Sequence, residues 1–304
     1  MYNESIKKRY IQEKENSTST PKEYLTRLFN KSKSFEENLD KDICCFTAYE
    51  IIDFYKTISI PTLESLIVLN NHLSLYVQWC LQQNLVPDCQ NHFDEIDNDT
   101  LIKCINITSL KKAIVTRNTL YAWLSKLANP GDAFVMLALF EGIKGKEFCE
   151  IAKLKLSDFS GNKVKLCTGR EITVSDKLVD LAELADKTMI YYGETRDYPL
   201  EDEGYIIKKR RQGTDDVSDY QRGRRIYNKL LDLFTKLGVA EYMKPNSLTE
   251  SGKIDYINMR AKELGMTGKD FLYSDYVYEV ENKYDYEMKS LKRSFCRKYE
   301  EYLI

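Results

Sequence analysis

The chain has 304 residues, with 45 Lys and Arg against 47 Asp and Glu and only two histidines, for a formal net charge of −2. That length fits one large or two ordinary domains, and no apolar run approaches the ~20 residues a membrane helix needs. A balance near zero argues neither for nor against nucleic acid, because clustering of charge is what matters there. The N-terminus carries Lys7, Lys8 and Arg9 with no apolar signal core behind them, which predicts a cytoplasmic protein. Those three cations read either as a flexible arm touching DNA or as a plain solvated terminus. Eight cysteines show no CxxC spacing. They are read as reduced thiols filling core positions; with no His/Cys cluster and no phosphate-binding Gly loop, neither a metal nor a nucleotide nor any other cofactor is expected.

Helix starts are well marked. Thr20-Pro21-Lys22-Glu23 combines a capping Thr, a Pro at the first helical position and a Glu three residues on, followed by Tyr24, Leu25, Leu28 and Phe29. Thr47 and Glu50 repeat the capping box ahead of Ile51, Phe54 and Tyr55. Pro61-Thr62 opens a third helix with Leu63, Leu66, Leu69, Leu73 and Tyr76 at helical spacing. Residues 97–107 read as one more short helix. Residues 1–107 therefore predict a small helical domain, and residues 108–118 a linker.

The second domain, 119–304, opens with a helix over 119–127. Asp132 then caps Ala133–Phe140, a helix apolar nearly all round and hence central. Gly142 ends it, and 146–154 reads as a short helix. Three short β-prone pieces follow, at Phe159, Val164–Cys167 and Glu171–Val174, separated by turn dipeptides. Ser175-Asp176 caps the next helix. A charged segment spans 201–223, a helix runs over 224–237, and Ser247-Leu248-Thr249-Glu250 reads as a capping box. The last helix is predicted over 285–302. The fold class is mainly α with a small three-stranded β-sheet.

The stretch Ala133–Phe159, AFVMLALFEGIKGKEFCEIAKLKLSDF, resembles the first conserved box of the tyrosine recombinase (phage integrase) family. It has an apolar helix, then Gly-x-basic, a Glu, and Leu-x-x-x-Asp entering a hairpin. The resemblance covers most of 119–290 and implies an integrase catalytic-like domain behind a helical core-binding domain. It also assigns the degenerate positions. Lys144 stands where the family has the first phosphate-holding Arg, and a Lys cannot make the bidentate fork. In Pro245-Asn246-Ser247-Leu248-Thr249, Asn246 replaces a His and Thr249 an Arg. Met266 falls where a further His or Trp is expected, and Tyr284 where the nucleophile is expected. Lys165 and Arg170 both fit the family's hairpin Lys.

A Tyr hydroxyl titrates near ~10 and is inert without activating neighbours. Each missing transition-state donor costs roughly 10²–10³ in rate. The chain is therefore read as a non-enzyme with no catalytic residues. What remains is binding. Lys208, Lys209, Arg210, Arg211, Arg222, Arg224 and Arg225 form a basic stretch suited to a phosphate backbone, joined by Lys144, Arg170, Lys244 and Asn246; a solvated charged loop is the plain alternative. Within the family, the chain is similar to prophage repressors of the SP-beta type. That resemblance implies a sequence-specific binder of double-stranded operator DNA that maintains lysogeny. It is expected to clamp the duplex with both domains, with self-association on DNA and a phage-encoded antirepressor as further partners. The alternatives are a divergent active recombinase and a protein-interaction module.

Overall fold

The computed structural model describes residues 1–17, 22–58, 60, 63–86, 89–105, 111–210 and 218–304. The chain divides into two compact units, Met1–Leu110 and Lys111–Ile304. Both are built mainly of helix, as the sequence predicts, and no helix among the described residues is long and apolar enough to cross a membrane.

In the first unit the described elements are helical: α1 (Glu4–Ser17), α2 (Lys22–Leu39), α3 (Ala48–Thr57), α4 (Leu63–Gln82) and α5 (Asn98–Lys103), with short 3-10 turns between them. The capping box of α3 forms. The Thr47 hydroxyl accepts from the Glu50 N–H at 3.4 Å, and the Glu50 carboxylate accepts from the Thr47 N–H at 2.7 Å. The signals at Thr20-Pro21 and Pro61-Thr62 lie outside the described residues. Tyr10, Phe29, Tyr76 and Trp79 pack edge to face at the centre of the core. The basic start of the chain is not an arm. Lys7 lies within α1, its ammonium fully buried against the Glu36 carboxylate and 3.6 Å from Asp42. The expectation of reduced thiols throughout also fails. Cys45 and Cys89 are joined in a disulfide with Cα atoms 5.4 Å apart. The fold brings together two segments whose separation of 44 residues carries no local sign. The other six cysteines are free, and four of them are buried.

The second unit claims part of the expected linker. Ala113 and Val115 are buried, the Val115 N–H donates to the Ser251 hydroxyl at 3.1 Å, and Thr116 caps α6 (Arg117–Leu124). The centre of this unit is α7 (Pro130–Phe140), in which every residue from Ala133 to Phe140 is buried. Each large side chain there contributes roughly 1.5–3 kcal/mol of burial. Asn129, not Asp132, occupies the cap position of α7; Asp132 is buried in the first turn and paired with Lys229. Around α7 pack α9 (Asp176–Lys187), α10 (Asp219–Lys236) and α11 (Pro245–Glu263).

The predicted sheet is antiparallel in the order β1 (Phe159–Ser160), β2 (Lys163–Lys165), β3 (Glu171–Thr173), with buried Val164 opposite buried Ile172. A second three-stranded sheet was not anticipated: β4 (Ile190–Tyr191), β5 (Tyr198–Glu201) and β6 (Lys209–Arg210). Its strands are too short to show an alternating pattern.

Several boundaries differ from the sequence reading. A Ser218–Gln221 capping box starts α10 five residues earlier than expected. Pro245 occupies the first turn of α11, which places Ser247 inside the helix rather than at its cap. Residues 146–154 form a 3-10 turn (Lys146–Phe148) and the single turn α8 (Cys149–Ala152). The C-terminal stretch is broken into α12 (Gly268–Tyr273), α13 (Tyr278–Tyr284), α14 (Met288–Ser290), a π turn and α15 (Cys296–Tyr299). Asp285, in the left-handed region at φ 49°, ends α13 where a continuous helix was predicted to begin.

Two helical glycines let backbones touch. A Cβ on Gly252 of α11 would lie 1.7 Å from the Phe140 carbonyl oxygen, and one on Gly223 of α10 would lie 1.8 Å from that of Glu147. Both obstacles are backbone, which cannot swing aside. Gly252→Ala is expected to destabilise the protein by about 3 kcal/mol through overpacking. Gly131→Ala, whose Cβ would meet only the Ile207 side chain at 3.6 Å, should be neutral or stabilising by a few tenths of a kcal/mol. Urea titration of both variants checks the contrast.

Candidate nucleic-acid interface

The site is built on the turn that follows α7. Gly142 ends the helix at φ 96°, where a Cβ would strike the Lys283 carbonyl oxygen at 2.3 Å. Gly145, Glu147 and Phe148 then all sit at positive φ. For Glu147 and Phe148 this is a strained conformation, kept because Phe148 is buried and the Glu147 carbonyl is wedged against Gly223. The tight turn brings half-buried Lys144 to Asn246.

Glu150 holds the turn in place. Its carboxylate is fully buried and accepts from the Lys144 N–H at 2.9 Å, the Thr168 hydroxyl at 2.5 Å, and Arg170 Nε and Nη2 at 3.0 and 2.6 Å. Arg170 spends its remaining donors on the carbonyls of Asn282 (2.7 Å), Lys283 (3.0 Å) and Gly142 (3.2 Å). All five guanidinium N–H groups are therefore engaged within the protein. The sequence reading set Arg170 at a DNA surface; in the structure it staples the β2–β3 hairpin to the end of α13 and to the Gly142 turn.

Two of the positions that the resemblance marks as substituted meet. Lys144 Nζ donates to Asn246 Oδ1 at 2.8 Å, with Asn246 exposed in the first turn of α11. Partial burial pulls the Lys144 pKa below the ordinary lysine value, with Glu250 pulling the other way. Lys144 lies 6.0 Å from the centre of the Phe148 ring, Phe148 packs against Tyr227 at 6.0 Å, and the exposed Arg224 lies 5.5 Å from the Tyr227 ring. The result is a stripe in which Asn246, Lys144 and Arg224 are linked through the buried Phe148 ring and the half-buried Tyr227 ring. Exposed Lys244 stands beside it at the cap of α11, its ammonium on the Ala240 carbonyl.

The other substituted positions lie elsewhere. Thr249 is buried, with its hydroxyl on the Pro245 carbonyl at 3.3 Å. Met266 is half-buried in the turn that closes α11. Tyr284 is buried, and its hydroxyl donates to the Phe140 carbonyl at 3.0 Å; burial pushes its pKa well above that of a free tyrosine. Tyr286 instead presents its ring face to the buried Lys253 ammonium, 3.4 Å from the ring centre, and Lys253 pairs with Glu250 at 3.0 Å. The sequence reading missed Lys253. Its spacing from Asn246 and Glu250, one helical face at 246, 250 and 253, was the available signal.

The basic stretch splits by environment. Lys208 is buried, its side chain 1% exposed and its ammonium on the Asp186 carbonyl. Lys209 pairs with Glu201 and Glu203, and Arg222 grips Glu203 with two bonds of 2.8 and 2.9 Å. Arg210 stacks on Tyr198 and Tyr191, at 4.3 and 4.6 Å from their ring centres. Arg224 and Arg225 are exposed on α10, and Arg211 lies outside the described residues.

Two outcomes follow from these pairings. Arg170→Met leaves the Glu150 carboxylate buried without its counter-charge and should cost about 3–5 kcal/mol in urea unfolding; Arg170→Lys should not restore the loss, because an ammonium cannot supply five donors in a plane. Lys283, buried with its ammonium on the Thr173 carbonyl at 2.5 Å, has its pKa pulled down to about 8, mainly by burial. The unfolded chain holds that proton up to about 10.4. Between these values the unfolded state binds more protons, so this group makes stability rise with pH, by about 3 kcal/mol in total. Lys283→Met should flatten that part of the profile. Parallel wild-type and variant curves between pH 8 and 10 would contradict the assignment.

Residues 1–82 match the family model described as MrpR, N-terminal core-binding domain, and residues 114–303 match that described as MrpR, C-terminal catalytic domain. The chain is 24% identical over 303 residues to the SPbeta prophage-derived uncharacterized protein YopR of Bacillus subtilis (strain 168), an alignment covering 93% of this chain and 91% of that protein. With its helical N-terminal unit, the Gly142–Glu150 box and both halves matched, the chain belongs to the MrpR family, built on the tyrosine-recombinase plan.

Proposed function

We propose that this chain is a sequence-specific binder of double-stranded DNA that represses prophage lytic genes and carries out no strand exchange. The observation that carries the reading is a contrast within one site. Lys144 and Asn246 meet at the surface, with Arg224 beyond the Phe148 and Tyr227 rings, while the Tyr284 hydroxyl is buried on a backbone carbonyl. Two cations and an amide along one stripe suit a phosphate backbone. A hydroxyl that is buried, protonated and already donating cannot attack a phosphodiester. The core-binding description of the matched N-terminal family supports DNA as the partner, and the prophage origin named for the Bacillus relative supports a role in lysogeny.

On this reading phosphate contacts supply most of the affinity. Sequence preference comes from side chains that reach base edges. Strand exchange would require Tyr284 to leave its carbonyl and acquire donors that Lys144 and Asn246 do not replace.

Genome-wide footprinting in a lysogenic host should place the protein at promoters of prophage genes. With a nicked suicide duplex the protein should yield no covalent protein–DNA product, and Tyr284→Phe should leave duplex affinity unchanged. Lys144→Gln should weaken binding by about tenfold on every sequence and lower the log–log salt slope by about 0.9. A covalent adduct abolished by Tyr284→Phe would overturn the non-catalytic reading. Loss of no affinity on charge reversal of Lys144 and Arg224 together would overturn the DNA-binding one.

A further inference from the structure

The basic stretch leads to a second site. Between α10 and the β4–β5–β6 sheet lies a cleft of about 820 Å³. Arg222, Arg225 and Lys229 line it from the helix; Tyr191, Tyr198 and Arg210 line it from the sheet. Its floor is apolar, formed by Leu200, Ile207, Ile226 and Leu233. The volume falls within the roughly 300–1,000 Å³ typical of small-molecule sites.

The charges inside are unequal in availability. Arg222 is neutralised by Glu203 and Lys229 by Asp132. Among the described residues, Arg210 and Arg225 have no carboxylate partner: Arg210 rests on two tyrosine rings, and Arg225 is exposed. Two guanidinium groups thus face one concave space without an ion pair of their own among the described residues, although Asp232 and Glu194 also line it. A cleft of this volume suits a small anion better than a convex duplex. A small anion reaches the interior. Asn228 and Asp232, also on the lining, offer a donor and acceptors for the edge of a polar ring, while the floor and the tyrosines suit its faces.

We propose that this cleft binds a mononucleotide, its phosphate held by Arg210 and Arg225 and its ring laid on the apolar floor beside Asn228 and Asp232. Arginine suits the phosphate because its planar fork pairs two oxygens at once. The cleft's lining shares no residue with the Lys144–Asn246 stripe, and binding there needs no DNA.

Isothermal titration of the full chain without DNA tests this, using adenosine and guanosine 5′-monophosphates, the corresponding nucleosides, and inorganic phosphate as probes. At least one mononucleotide should bind saturably, with its nucleoside and inorganic phosphate each about tenfold or more weaker. Arg225→Glu and Arg210→Glu should each reduce affinity by about tenfold or more. Arg225→Gln, which changes the surface least, should act in the same direction with an unchanged unfolding midpoint. Lys144→Gln should leave nucleotide binding intact. The proposal falls if no mononucleotide binds saturably, if inorganic phosphate binds as well as the nucleotide, or if Arg225→Glu has no effect. It also falls if Lys144→Gln removes nucleotide binding, or if duplex DNA displaces the nucleotide and Arg225→Glu weakens both equally, because the cleft is then part of the DNA surface.

Discussion

A single buried carboxylate, that of Glu150, organises the surface of the second unit. Stripping a carboxylate of water costs several kcal/mol, and only good hydrogen bonds to most of its lone pairs offset that. Glu150 obtains four, from the Lys144 N–H, the Thr168 hydroxyl and Arg170. Arg170 in turn needs acceptors for its other donors and finds them on three carbonyls of the Gly142 turn and the end of α13. The turn, the hairpin and the C-terminal region are therefore tied to one ion pair. Every member is satisfied, which is the condition under which a buried polar network makes a fold more specific.

The same surface is rigid for a second reason. Gly142, Gly223 and Gly252 place carbonyl oxygens where a side chain would otherwise stand. Backbone against backbone leaves little slack, so α10 and α11 meet α7 and its turn at closely defined distances. The left-handed Glu147 and Phe148 persist because this packing over-determines them. Lys144, Asn246 and Arg224 are thus presented by a stiff platform, and less conformational entropy is lost when they engage a partner.

Charge in this protein is mostly internal accounting. A net value of −2 conceals cations of two kinds. Some, such as Lys7, Arg170, Lys208 and Arg222, hold elements together through specific carboxylates or carbonyls. Others, such as Arg224 and Arg225, are exposed, and half-buried Lys144 ends on exposed Asn246. Attraction for an anion comes from the second kind alone, over distances comparable to the Debye length of about 8 Å at physiological salt.

Much of this molecule was legible from its residues in order. Helix periodicity, capping residues and the Gly142 box depend on neighbours within a few positions, and they gave the helical architecture, the central α7 and the three-stranded hairpin sheet. The absence of histidine after His92 is also plain in the text of the chain. What the sequence alone did not decide is which cations look outward. Arg170 meets the Asn282 carbonyl across 112 positions, and Lys144 meets Asn246 across 102. The Cys45–Cys89 bond, the second sheet and the inward turn of Thr249 are of the same kind. Pairing of charged and polar groups depends on distance in space and on access to water, and neither is encoded by local pattern. Only the packed structure settles whether an arginine becomes a staple or a hand.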